Sequence, residues 1–226
     1  MNIIKNIEKS LSLITGVDSN ISLESVNSYL STASNVIMSF IVISNGEISI
    51  VKYNFTQNFG IILQGYDSYI SIIQSVFLNN QHFIGSTQTN DIYCGDCYVL
   101  SLEECLFRVY SDFSIETSGT LEISMNNSSF QQLNSNCFSI MISDSPNISL
   151  INSNFDDFSN GNIKLFTTNS AKYTNLTIIS CNFSNNSAIT GSALYISSNF
   201  QIVLISSLFQ FNKALNYSGN SLNGMA

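Results

Sequence analysis

The chain has 226 residues, 44% hydrophobic and only 10% charged, with a net charge of −8 and a pI near 4.3. A single Arg (Arg108) and six Lys cannot neutralise a run of phosphates, so nucleic acid is excluded as a partner. Ile, Leu, Val, Phe and Tyr are too plentiful for a disordered chain, and no run approaches the roughly 20 apolar residues of a membrane-spanning helix.

Lys5 and Lys9 precede a short apolar stretch, residues 11–17, that imitates a signal peptide but has no clear small-residue cleavage site. Ile3, Ile4, Ile7, Leu11 and Ile14 fall at helical spacing and predict a short amphipathic helix. Residues 36–43 read as a strand.

From there on a repeat takes over. Phe55, Phe77, Phe107, Phe130, Phe155, Phe183 and Phe209 each close the same motif, at spacings of 22, 30, 23, 25, 28 and 26 residues. Seven residues earlier stand Ile48, Ile70, Leu100, Ile123, Ile148, Leu176 and Ile202; five earlier stand Ile50, Ile72, Leu102, Met125, Leu150, Ile178 and Leu204. Between them lies Ser, or Thr177 or Val203. This period of two marks strands. Two residues before the Phe comes Tyr53, Ser75, Cys105, Ser128, Ser153, Cys181 or Ser207, and the parity change there predicts a bend that turns a corner. Asn58, Asn80, Asn186 and Asn212 recur three after the Phe.

Between the motifs lie second strand-like segments, at 61–63, 113–115, 138–142, 163–166 and 193–196, bounded by turn residues such as those at 143–147. Constant motifs at variable spacing describe rungs of a coil whose inward residues stack on their equivalents while loops project outward. A rung of 22 to 30 residues suits a right-handed parallel β-helix of about seven rungs. Stacked Asn amides and Asn in left-handed turns fit the same picture. The alternative is a β-sandwich, which gives no reason for residue types to recur every 25 or so positions.

The segment at 181–188, Cys-Asn-Phe-Ser-Asn-Asn-Ser-Ala, followed by Gly-Ser-Ala-Leu-Tyr-Ile at 191–196, resembles the repeat of polymorphic outer-membrane-protein and adhesin β-helices. Residues 207–214 match again with Ser for Cys. Similar segments occur in large surface proteins of ciliates, within the pectin-lyase-like superfamily. The resemblance covers roughly residues 40–219 and is strongest in the last two rungs. It implies the fold, and a host range of enzymes, adhesins and scaffolds. The expected organisation is a cap or irregular segment at 1–35, the repeat domain at 36–219, and a tail or truncated rung at 220–226. The predicted helix would cover the coil's open end. The last rung lacks such a cover, so a longer parent chain is expected.

Chemistry-bearing residues are sparse. Arg108 has no carboxylate beside it, and Asp112 is four residues off. Asp156 and Asp157 form a pair, but neighbouring strand residues point to opposite faces unless the chain turns there, and glycoside hydrolysis needs two carboxyls on one substrate. Glu103 and Glu104 pose the same problem, and His82 stands alone in a long loop at 80–92. Cys94 and Cys97 form a C-x-x-C at a predicted turn, a half-site for zinc without a second ligand pair, or a local disulfide in an oxidising compartment. Cys105 and Cys181 share the Ser column and pack as small hydrophobes, and Cys137 precedes a strand. No catalytic, cofactor-binding or metal residue is assigned, and no cofactor is expected.

Sequons begin at Asn20, Asn54, Asn126, Asn127, Asn147, Asn175, Asn182, Asn185 and Asn216, which permits secretion; thirty Asn among abundant Ser and Thr give nearly as many by chance. The expectation is a non-catalytic structural or adhesive β-helix at the cell surface or outside the cell. It would present the loop at 80–91 or a polar face to glycans or other surface proteins, with membrane attachment only through sequence beyond this chain. The alternatives are a carbohydrate-active β-helix enzyme (polysaccharide lyase or hydrolase) and, for location, the cytoplasm.

Overall fold

The computed structural model describes residues 2–4, 7–8, 14–25, 27–29, 32–33, 39–56, 61–78, 80, 90–109, 113–132, 140–158, 163–168, 173–188, 191–197 and 199–214. Among them the secondary structure is entirely β. Three parallel sheets of nine, eight and eight strands wind into a right-handed coil, and two short two-stranded ladders lie beside them. Every strand pair is parallel, which removes the sandwich alternative.

The stacked columns are those the repeat predicts. Ile48, Ile70, Leu100, Ile123, Ile148, Leu176 and Ile202 pair in register, as do the residues two positions on. Phe55 to Phe209 form one column, with ring centroids 4.4 to 5.1 Å apart and planes within 21° of parallel. The second segments form the third sheet, whose inward residues include Ile41, Leu63, Ile92, Ile115, Ile140 and Ile163.

The predicted corner is a single left-handed residue three positions before each Phe: Lys52, Gln74, Glu104, Asn127, Asn152, Ser180 and Ser206 all have φ between 48 and 54°. Such a backbone costs a non-Gly residue about 1–2 kcal/mol. It persists because the corner amides from Lys52 to Ser180 donate to the next rung, as Gln74 does to the Glu103 carbonyl at 2.8 Å. The following Ser then links rungs sideways. Ser128 Oγ donates to the Asn126 carbonyl at 3.0 Å and accepts from the Cys105 amide at 3.2 Å, and Ser75, Ser153 and Ser207 do the same at their corners. Ser in this column is therefore a hydrogen-bonding choice as well as a small one.

Two expectations change. The helix at the N-terminus is absent among the described residues: Ile3, Ile4, Ile7 and Ile14 lie in the strands Asn2–Ile4, Ile7–Glu8 and Ile14–Val17, while Leu11 lies outside the described residues. Asn20–Glu24 pairs with Glu47–Val51, and Asn27–Tyr29 with Asn54–Thr56, so the coil reaches into the segment assigned to a cap. Completing ladders on an open sheet edge outweighs five helically spaced residues, four of them β-branched Ile. The loop expected at 80–92 also ends early, because Asn90–Gly95 is a strand pairing with Leu63 and Ile115 through Ile92. Among the described residues no helix is long and apolar enough to cross a membrane.

Candidate functional site

The carboxylates singled out in the sequence do not gather. Asp156 ends the strand Asn154–Asp156, and its Oδ1 accepts from Ser184 Oγ at 2.7 Å and Asn185 Nδ2 at 3.0 Å in the next rung. Asp157 turns the corner with φ 60°, so the backbone does bend between the two, and its amide donates to the Ser184 carbonyl. Glu104 occupies another left-handed corner and accepts from Gln74 Nε2 at 2.7 Å; Glu103 is exposed at a strand end. Arg108 is exposed on the strand Leu106–Val109, in register with Leu78 and Gln131. His82, Asp112, Cys137 and residues 81–89 of the loop lie outside the described residues.

Cys94 sits on a strand, not in a turn, and Cys97 fills the small inward position of the next corner. Both are free and fully buried. The hydrogen bond to Cys97, together with burial, holds the Cys94 thiol well above its ordinary value. Burial likewise pushes Cys105 up to about 11 and raises Cys181. No group of three or more metal-ligating side chains occurs among the described residues.

The Asn column is structural. Asn186 is buried, donates through Nδ2 to the Phe155 carbonyl at 3.2 Å and to Asn212 Oδ1 at 2.8 Å, and accepts from the Phe158 amide at 3.0 Å. Of the sequon asparagines, Asn20, Asn54, Asn127, Asn147, Asn175 and Asn185 are exposed, Asn126 and Asn182 are half-buried, and Asn216 lies outside the described residues.

A cleft that the sequence did not announce opens at the other corner of the coil, between the third sheet and the Ile–Ser–Ile sheet. There Asp67, Asp96, Gly119 and Asp144 take left-handed conformations in successive rungs. Gly119 opens a notch in this acidic row, since a Cβ there would collide with Oδ1 of Asp96. Around the notch lies a cavity of about 450 Å³, lined by Asp96, Gly119, Leu121, Asp144, Pro146 and Tyr173 among others. Asp144 is fixed: Oδ1 accepts from the Thr168 amide at 2.8 Å and Oδ2 from Thr168 Oγ1 at 2.7 Å.

Two residues after each corner residue an apolar side chain projects outward, giving the row Tyr69, Tyr98, Leu121 and Pro146, with Tyr173 beside it. Tyr69 and Tyr98 stack at 4.9 Å, and Tyr173 is 73% exposed. The signal in the sequence was a Gly in an Asp/Asn column, legible only once the rungs are aligned on their corners. No protein-family model matches the chain, and no curated protein matches it.

Proposed function

We propose that this β-helix is a non-catalytic structural or adhesive element of a cell-surface or secreted protein, akin to the pectin-lyase-like adhesin repeats that its last rungs resemble. The observation that carries the reading is where the carboxylates are spent. Asp144, Asp156 and Glu104 each accept hydrogen bonds from a neighbouring rung, as struts of the coil. A hydrolase or lyase would instead hold its carboxyls around one substrate. Six exposed sequons permit an extracellular setting, and the apolar row beside the corner cleft offers a contact surface for glycans or other surface proteins.

Two measurements test the reading. Native protein from its source cells should run above 24.9 kDa and shift down on N-glycosidase treatment. Beads coated with the chain should retain cells above an uncoated control, without cleaving polysaccharide. An unshifted soluble band, or cleavage of a polysaccharide by the purified chain, would overturn it.

A further inference from the structure

We infer that the C-terminal end of the coil is a docking surface for a second copy of this chain, joined end to end about a two-fold axis at Val203. The inference stands apart from the adhesive reading and concerns how the coil's open end is closed.

The last rung is unlike the others. Among the described residues, Leu194–Ser197, Phe200–Ile205 and Leu208–Gln210 are the final strands of their three sheets. Ile202 and Leu204 belong to inward columns, yet they are 48% and 53% exposed, whereas their column mates from Ile48 to Ile178 are at most 3% exposed. None of the three strands carries a charged residue, although open sheet edges are ordinarily guarded by charges or Pro. The outward side changes too. Val203, 43% exposed, stands where every other rung places Ser or Thr, from Ser22 to Thr177.

The occupant follows from comparing the two ends. At the N-terminal end the Phe sheet has nine strands against eight in the others, because Asn2–Ile4 continues it past Ile14–Val17 and Asn20–Glu24. A copy stacked head to tail on those two strands would need the place of Asn2–Ile4 for its own Leu208–Gln210. It would also set the exposed Glu24 carboxylate beside Ile205. Like ends meet neither obstacle. A two-fold axis across the coil at Val203 pairs Phe200–Ile205 antiparallel with its own copy and sets Leu208–Gln210 of each copy on Leu194–Ser197 of the other. There Phe209 meets Leu194 and Ile196, all three already packed against the core.

The same residues set the register. Pairings that place inward side chains opposite inward ones keep the core continuous. With Val203 opposite its own copy, Ile202 meets Leu204 and Leu204 meets Ile202, so both exposed columns close at once. The carbonyls of Asn199 and Ile205 accept from Thr174 and Ser180 in the rung before, so alternation turns the backbone groups of Ile202 and Leu204 toward the open edge. Those two make the hydrogen-bonded pairs, and Val203 falls in the non-hydrogen-bonded pair, where side chains approach closest. A Val–Val contact on the axis accounts for the break in the Ser column.

Sedimentation equilibrium of the full chain should show monomer and dimer and no larger species. Val203→Lys sets like charges opposite each other on the axis, at an exposed outward position, and should weaken the dimer at least tenfold with unchanged far-UV circular dichroism. Val203→Ser, which restores the residue of the other rungs, should weaken it less. Val203→Cys should form a disulfide-linked dimer on mild oxidation, because it faces its own copy; wild type, whose described cysteines are buried, should not. Gln201→Cys and Ile205→Cys should each fail to cross-link alone and should cross-link when mixed. A chain that stays monomeric at every concentration overturns the inference, as does a ladder of larger species, which marks head-to-tail stacking. Failure of Val203→Cys to cross-link in a dimer of wild-type affinity overturns it as well. So does a native protein that exceeds 226 residues and sediments as a monomer, since its own chain then covers this edge.

Discussion

Replacing Phe155 with Ala tests the stacked core at its most constrained point. Phe155 is fully buried, with Phe130 at 5.1 Å on one side and Phe183 at 4.8 Å on the other. Truncation removes on the order of 120 Å² of buried apolar surface, worth about 3 kcal/mol at ~25 cal/mol per Å². Losing two ring stacks adds about 1–2 kcal/mol. The neighbouring rings are fixed to strands on either side and cannot close the cavity. The expected loss is therefore about 4 kcal/mol, within the range of core Phe→Ala changes. Urea unfolding followed by far-UV circular dichroism reads it. Phe209→Ala should cost about half as much, because Phe209 is half-buried and has a described ring partner only in Phe183. Phe211→Ala, at an 80% exposed residue, should cost about 0.5 kcal/mol or less. A Phe155→Ala loss no larger than that of Phe211→Ala would refute the register.

Ser128→Ala should cost about 1–3 kcal/mol in the same assay, because the Cys105 amide loses its acceptor inside the corner. Asn186→Ala should cost more, about 3 kcal/mol, since it strands the Phe158 amide and the Phe155 carbonyl together. Asp91 is buried at the start of a strand, and burial outweighs its hydrogen bond from Asn80, pushing its carboxyl up to about 8. The folded state thus keeps a proton that the unfolded state releases above about pH 4, and stability should fall as pH rises from about 4 to about 8. Asp91→Asn should flatten that fall, read as urea midpoints at about pH 5 and pH 7. Cys94, Cys97 and Cys105 should resist alkylation in the native protein and react on unfolding, counted by mass spectrometry; rapid native labelling of Cys94 would contradict its place in the core.

The repeat was legible because inward positions of a coil must match their neighbours one rung away, and this stacking writes itself into sequence as columns. Phe, Ile and Leu at fixed offsets gave the strands, their faces and the corner before the Phe. The first rung escaped because Ser28 stands in register with Phe55, so the column's marker is missing, although Ile21-Ser22-Leu23 carries the same apolar–Ser–apolar triplet as Ile148-Ser149-Leu150. The strand Asn90–Gly95 escaped because Asp91 and Gly95 look like turn residues. Only pairing with Leu63 and Ile115 on either side makes them strand. The left-handed corners at Lys52, Gln74 and Glu104 carry no sequence signature either, since the next rung's carbonyls impose them on residues with no preference for that conformation.

The same logic explains why function was harder to read than fold. Every inward position is committed to a column, and a change there is felt in two neighbouring rungs. What remains free is the outward side chain at each corner, where one residue can vary without disturbing the ladder. A binding surface on this coil is therefore assembled from single residues about 25 positions apart, not from a contiguous motif. Gly119 illustrates this: in its local sequence it is an unremarked turn glycine, and its meaning appears only between Asp96 in the rung before and Asp144 in the rung after. A search for catalytic pairs such as Asp156 and Asp157 looks along the chain. On a parallel coil the residues that meet a common ligand lie across it, at the same corner of successive rungs.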